Sequence, residues 1–285
     1  YALINGYKSN IEAEATLFGK GIHKALEHWY CLPANLRQLT DIESDMANAL
    51  IASPLNEPSQ PYETALDSIN EFVKTCQPLR WLGDTDKRSI NNGIKILKAY
   101  FKHYVEDGLE VYRDESGQPY LERECEAVIH EDTEKVIVLF GTIDVIFRNL
   151  ISGHILPGDH KTTAALGDQF YKRVKPNHQY TAYIFLCKEV LGLDVCEFLV
   201  NGIQVAKTKC EFARQVTDRT DEDIAELKMA IVETVERVLK AQETGKYPMS
   251  APQSCSSYGS CPYIDVCQAP SKLRDVILRA KYAKQ

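Results

Sequence analysis

From about Glu12 to Tyr30 the apolar residues Leu17, Phe18, Ile22, Ala25, Leu26 and Trp29 recur at helical spacing before Pro33. The pattern predicts one amphipathic helix that ends near that proline. Residues 34–118 read as mostly helical, with a turn-rich break from Ser53 to Pro61 and a strong helix from about Arg88 to Glu106. The character changes at Pro119. Three strand-like runs follow, Tyr120 to His130, Val136 to Arg148 and His154 to Thr162, each bounded by turn residues. A helix from about Pro176 to Leu191, a strand from Val195 to Val205 and a helix from about Asp221 to Thr244 complete the order. A final amphipathic stretch, Leu273 to Ala283, places Leu273, Val276, Ile277 and Ala280 on one side.

Strands interleaved with helices in this way predict an α/β fold, a mixed central sheet flanked by helices, rather than a sandwich or a bundle. The divisions expected are an N-terminal core helix over 1–33, a helical insertion over 34–118, a core over 119–247, and a cysteine-containing segment with a terminal helix over 248–285. No internal repeat is visible.

Composition narrows the classes. At 285 residues, with 44% hydrophobic and 26% charged positions, the chain has the make-up of an ordinary globular protein with room for a large core. No apolar run approaches the roughly 18 residues that span a bilayer, and no secretory signal opens the chain, so the expected location is the cytoplasm and no membrane partner is expected. The chain starts at Tyr1, not Met, and is expected to continue upstream. The net charge of −7 excludes a general polycation, so any nucleic-acid role needs local positive patches. Lys172, Arg173 and Lys175 form one such patch, either a solvated loop or a phosphate contact, and Lys207 with Lys209 form another. No G-x-x-x-x-G-K-[ST] loop occurs, which removes a self-contained ATPase.

The chemistry starts at Asp144, one carboxylate in the otherwise apolar run Val136 to Phe147. A buried carboxylate needs a cation or hydrogen-bond donors. The next strand carries Asp159, His160 and Lys161, and alternation puts Asp159 and Lys161 on one face with His160 on the other. Two carboxylates from neighbouring strands beside a lysine make a site for a hard divalent cation. Taken singly, Asp144 is also explained as a satisfied structural residue and Asp-x-Lys as a surface ion pair. His23 fits either a packed helix histidine beside Trp29 and Tyr30 or a ligand. Gln179 and Tyr183 are four apart and share a helix face.

In this order, Phe18-Gly19-Lys20-Gly21-Ile22-His23, Gly141-Thr142-Ile143-Asp144, Asp159-His160-Lys161 and Gln179-Tyr180-Thr181-Ala182-Tyr183 resemble the RecB-like branch of the PD-(D/E)XK nuclease superfamily. That resemblance implies a restriction-endonuclease-like core in αβββαβ order over 15–30 and 119–267, and leaves 34–118 without a role. It implies that Asp144, Asp159 and His23 hold Mg²⁺ or Mn²⁺, that Lys161 activates the attacking water, and that Gln179 and Tyr183 position the lysine, the acids or the DNA backbone. Glu124, on a strand face with Glu122 and Glu126, is either a further acid of the site or solvated. The literal Pro-Asp of the superfamily name is absent, because Gly158 separates Pro157 from Asp159.

Nine cysteines include Cys255, Cys261 and Cys267 in a loop with little else to order it. Relatives with an iron–sulfur cluster use three late cysteines and one before the histidine helix, so the resemblance implies a [4Fe-4S] site whose fourth ligand lies upstream of Tyr1. A zinc site and plain thiols are the other readings. The functional expectation is a metal-dependent deoxyribonuclease, an exonuclease or end-processing enzyme acting on single strands or duplex ends in the cytoplasm of a bacterial or phage-infected cell. Recombination, repair or replication is the setting implied, with a helicase or recombination protein as partner. A non-catalytic DNA-binding or recruitment subunit that keeps the nuclease fold is the alternative. A metal-dependent hydrolase acting on another substrate is a third reading.

Overall fold

The computed structural model describes residues 7–9, 13–33, 37, 65–246, 255 and 261–284. The expected turn-rich break from Ser53 to Pro61 lies outside the described residues, as does most of the loop from Pro248 to Ser260. Two compact units divide the chain, Glu14–Ala230 and Tyr1–Ala13 with Ile231–Gln285.

In the first unit β2 (Leu109–Val111), β3 (Leu121–Glu131), β4 (Val136–Asn149), β5 (Ile155–Thr163), β6 (Glu197–Gln204) and β7 (Phe212–Asp218) form one sheet, β1 (Tyr7–Ser9) belonging to the other unit. Its order is β2-β4-β5-β6-β7, with β3 also on β4. The pairing of β5 with β6 is parallel and the rest antiparallel. A parallel pair needs a long crossover, and here that crossover carries α4 (Asp168–Tyr171) and α5 (His178–Leu191). Asn177 caps α5 by accepting from the Gln179 N–H, and Gly192 ends it at φ 64°. β4 is paired unevenly along its length. Val136 to Val145 lie against β3, but only Val145 to Arg148 lie against β5.

Alternation along the strands separates two cores. Phe198 and Val200 of β6 face α5 with Ile184 and Phe185, whereas Leu199 and Ile203 join Val145 and Phe147 under α1 (Glu14–Cys31), α2 (Ala65–Thr75) and α3 (Ile90–His103). The α1 stripe buries Phe18, Ile22, Ala25, Leu26, Trp29 and Tyr30, at the spacing the sequence predicts. The three-layer α/β architecture is therefore the expected one. The sequence pattern predicts neither β2 nor β7. β2 is only three residues long inside a segment read as helical, and β7 carries Arg214, Gln215 and Thr217 through a half-buried edge, so its apolar signal is weak.

Phe72 of α2 is fully buried against α3. A Cβ at Gly93 would stand 2.0 Å from its Cζ, so the absence of a side chain there lets α3 approach. Gly93→Ala gains roughly 1 kcal/mol of helix propensity but overpacks a closed core, which costs about 1–3 kcal/mol or more. The clash wins, and a net loss of about 1–2 kcal/mol is expected in a urea titration. An unchanged midpoint would mean that Phe72 can swing aside.

A polar cluster sits beneath this core. Asp107, its side chain 4% exposed, accepts from Arg214 Nη2 at 2.6 Å and lies 3.7 Å from Arg37 Nη1. The Tyr30 hydroxyl donates to Asp107 at 3.1 Å and meets that of Tyr100 at 2.8 Å. Arg37 also donates to the carbonyl oxygens of Leu32 and Leu109, at 3.1 and 2.8 Å.

In the second unit β1 (Tyr7–Ser9) pairs antiparallel with β8 (Tyr282–Lys284). The long helix α6 (Asp221–Thr244) starts in the first unit and ends in this one. Val266 of α7 (Ile264–Gln268), Leu278 of α8 (Ser271–Lys281) and Tyr282 make a small core, with Tyr263 stacked on Tyr282 at 4.9 Å. The face expected inward on the last helix is rotated: Leu278 is buried and Ile277 packs beside it, while Leu273 and Val276 are exposed. Among the described residues no helix is long and apolar enough to cross a membrane.

Candidate metal centre

His23 is on α1, Asp144 on β4 and Asp159 on β5, and each brings one ligand atom to within 4.8 Å of the others. Register explains the meeting of the acids. Val145 pairs with Gly158, so Asp144 and Asp159 flank the crossing point of two antiparallel strands. Gly141 has a packing role in the same strand, because a Cβ there would come within 2.9 Å of Leu186 and 3.4 Å of Tyr183. Its bare backbone lets α5 lie close over β4.

The acids are buried and close together. Asp159 is 1% exposed, and its Oδ2 is 2.5 Å from Lys161 Nζ; His23 Nδ1 is 3.1 Å from Asp144 Oδ2. Both oxygens have an ion-pair contact, yet neither receives a well-directed hydrogen bond. Buried carboxylate oxygens with unused acceptor capacity, grouped with an imidazole, are a donor set that fits a divalent cation. His23 and Lys161 stand against these oxygens as their ion-pair partners.

The charge states follow from that geometry. Burial, then the Asp144 charge, push Asp159 up to about 7 against the pull of Lys161. Burial would also raise Asp144, but its close contacts with His23 and Asp159 and the His23 charge hold it well below the usual carboxylate range. Burial disfavours a charged His23, yet its contact with and attraction to Asp144, with a further contribution from Asp159, raise it overall. Near neutral pH Asp159 is therefore the acid of the pair that takes up a proton, and His23 is biased toward its cationic form.

His160 turns away as alternation requires. Its ring stacks 5.8 Å from Tyr30, and its Nδ1 meets Asn201 Nδ2 at 2.7 Å. Burial pushes it down to about 3, so it is neutral. Asn201 also donates to the Tyr100 hydroxyl at 2.6 Å. On α5 the exposed Gln179 donates to the Tyr183 hydroxyl at 3.1 Å. Burial and the Asp144 and Asp159 charges together raise Tyr183, against the pull of that hydrogen bond, so the pair stands within the field of the acids.

The structure divides the remaining candidates. Glu124 is exposed and lies outside the ligand group, whereas Glu122 lines the cleft that holds His23 and Asp144. Leu121 pairs with Val145 and Arg123 with Ile143, which sets Glu122 across from Asp144, at a φ of 45°. Its carboxyl is raised by burial and then by Asp144. Alternation alone could not separate Glu122 from Glu124, since both share the strand face; the conformational break at Glu122 leaves no mark in the sequence. Lys172, Arg173 and Lys175 are exposed, outside the cleft, and Lys175 is bridged to Asp218 at 3.2 Å. Cys255, Cys261 and Cys267 are free and half-buried, and the Cys261 N–H donates to the Cys255 carbonyl at 2.9 Å. Among the described residues the three thiols are not gathered into a ligand group.

The family model of the PD-(D/E)XK nuclease superfamily matches residues 2–268. The chain belongs to this superfamily. Its mixed sheet between helices and its grouped His23, Asp144 and Asp159 are the fold and a candidate metal site of a metal-dependent nuclease. A solved structure described as "Crystal structure of SSO0001" is similar over 68% of this chain and 86% of its own, with 13% identity and a TM-score of 0.30. No curated protein matches the chain in sequence.

Proposed function

We propose that this nuclease is a RecB-like, divalent-metal-dependent deoxyribonuclease that hydrolyses phosphodiester bonds at DNA ends or in single strands. The single observation behind this reading is the meeting of His23, Asp144 and Asp159 at a cleft, with Lys161 against Asp159. Asp144 and Asp159 offer the hard oxygens that Mg²⁺ or Mn²⁺ prefers, and His23 offers a nitrogen that tilts the choice toward Mn²⁺. The bound cation would supply Lewis-acid stabilisation of charge on the scissile phosphate. Lys161 Nζ stands beside the acid pair, where it orients and activates the attacking water for in-line attack. Gln179 and Tyr183 steady the acids and the backbone of the substrate. Lys172, Arg173 and Lys175 add an exposed phosphate-contact patch. The resemblance also implies a [4Fe-4S] cluster at Cys255, Cys261 and Cys267, and work in bacterial or phage recombination, repair or replication beside a helicase or recombination protein.

End-labelled single- and double-stranded DNA incubated with Mg²⁺ or Mn²⁺ tests the reading. The wild-type chain is expected to release label and to stop when the metal is chelated. Lys161→Ala is expected to be slower by at least about 100-fold, with an unaltered circular dichroism spectrum. Equal turnover by the variant would remove Lys161 from the chemistry. Binding without cleavage by either chain would turn the reading toward a recruitment subunit.

A further inference from the structure

We infer that the groove between α1 and α2 is the track for one strand of nucleic acid, with Lys20, Lys24 and Lys74 as its phosphate contacts. The inference rests on the nuclease reading above and deepens it. Thr16, Lys20, His23 and Lys24 recur at helical spacing, which puts them on one face of α1. From α2, Glu71, Lys74 and Thr75 line the same cleft, which opens to about 780 Å³ and reaches His23 and Asp144. The second wall of the candidate site is therefore built by part of the 34–118 segment, to which neither composition nor resemblance assigns a role.

Size admits a single strand. A cleft of about 780 Å³ is within the range of roughly 300–1,000 Å³ that takes a drug-sized molecule, which is room for a short stretch of one strand. Charge selects the contacts. Lys24 is paired with Glu27 one turn away, and Lys74 lies 3.8 Å from Glu71 on its own helix. The lysines are about half exposed, at 45% and 50%, and their carboxylate partners less so, at 23% and 14%. Pairs near the surface contribute only about 0.2–1 kcal/mol, so a phosphate can share the lysines at small cost. Hydroxyls of Thr16 and Thr75 add neutral donors to the same walls. Glu122 sits at the inner end beside Asp144, where a cation rather than a phosphate would meet it.

The test is fluorescence anisotropy of a short labelled single strand with Mg²⁺ on the Lys161→Ala chain, from about 50 to 200 mM salt. Lys20→Gln/Lys74→Gln is expected to weaken binding about tenfold and to make the log–log salt dependence shallower by about 1.4, near 0.7 per lost phosphate contact. Introduced into the otherwise wild-type chain, the same pair is expected to raise KM while kcat stays within about twofold. Both lysines are exposed, and a melting curve confirms that the variant folds. An unchanged slope and KM would overturn the track. So would a loss confined to Lys172→Gln/Arg173→Gln/Lys175→Gln, which would move the contact to the other patch. A chain that neither binds nor cuts DNA would bring down the nuclease reading itself, a result distinct from binding and cutting with an intact slope.

Discussion

Asp159→Asn is expected to abolish metal uptake and cleavage, and at the same time to raise the melting temperature of the metal-free protein at neutral pH. The loss of function follows from the ligand set, since Asp159 supplies one of its two carboxylates. The gain in stability follows from the cost of placing two acids together in a dry site. Asp159 is almost wholly buried beside Asp144, and folding moves it from about 3.9, the value of a free side chain, up to about 7. Within that window the native chain binds more protons than the unfolded chain, so stability falls as pH rises. The penalty is absent below the unfolded value and complete above the folded one. An amide has no such titration, so the melting advantage of the variant is expected to be near zero at pH 4 and to grow toward pH 8. Lys161, about a third exposed, can turn to water when its partner loses charge. Isothermal titration with Mn²⁺ and melting curves across this pH range check both halves. A variant that melts below wild type at neutral pH would mean that the Lys161 contact outweighs the repulsion between the acids.

Asp107→Ala is expected to cost about 3–5 kcal/mol, because it leaves buried guanidinium groups without their carboxylate. Arg37 is 1% exposed, and Arg214 is largely buried over the Tyr104 ring at 3.8 Å. Arg37 cannot reach bulk water without opening the core that also holds Tyr30 and Tyr100. The whole cluster is a weaker source of stability than this figure suggests, since replacing every charged member by apolar groups is often neutral. Equilibrium denaturation of Asp107→Ala, and of Asp107→Leu combined with Arg37→Met and Arg214→Met, separates the two quantities. A loss below about 1 kcal/mol in the single variant would show that water reaches the guanidiniums.

Much of this arrangement is legible in the sequence because it is written in local periods. The α1 stripe, the runs that become β3, β4 and β5, and the alternation that sends Asp159 and Lys161 one way and His160 the other need only neighbours in the chain. Asp144 is visible for a related reason, as a charge in an apolar strand. The partners that complete these features are not local. Arg214 and Asp107 are 107 positions apart, and Asn201 and His160 are 41 apart. Lys74 faces α1 only because α2 packs there, and Gly93 reads as a weak helix position until Phe72 is placed against it. Glu122 was indistinguishable from Glu124 by alternation and differs from it by a backbone angle alone.

The uneven pairing of β4 bears on how the site can move. Up to Asp144 this strand has β3 as its sheet neighbour, and from Val145 onward it is also held by β5. Asp159 and Lys161, by contrast, lie along the parallel ladder with β6, opposite Val200 and Gly202. A two-stranded ribbon opens locally at a lower free energy than the sheet it extends from. One carboxylate is thus mounted where a compliant ribbon joins a stiff sheet, and the other, with its lysine, stands wholly on the stiff side. Any bending of the ribbon, on which α5 also packs, is expected to displace Asp144 before Asp159 and Lys161.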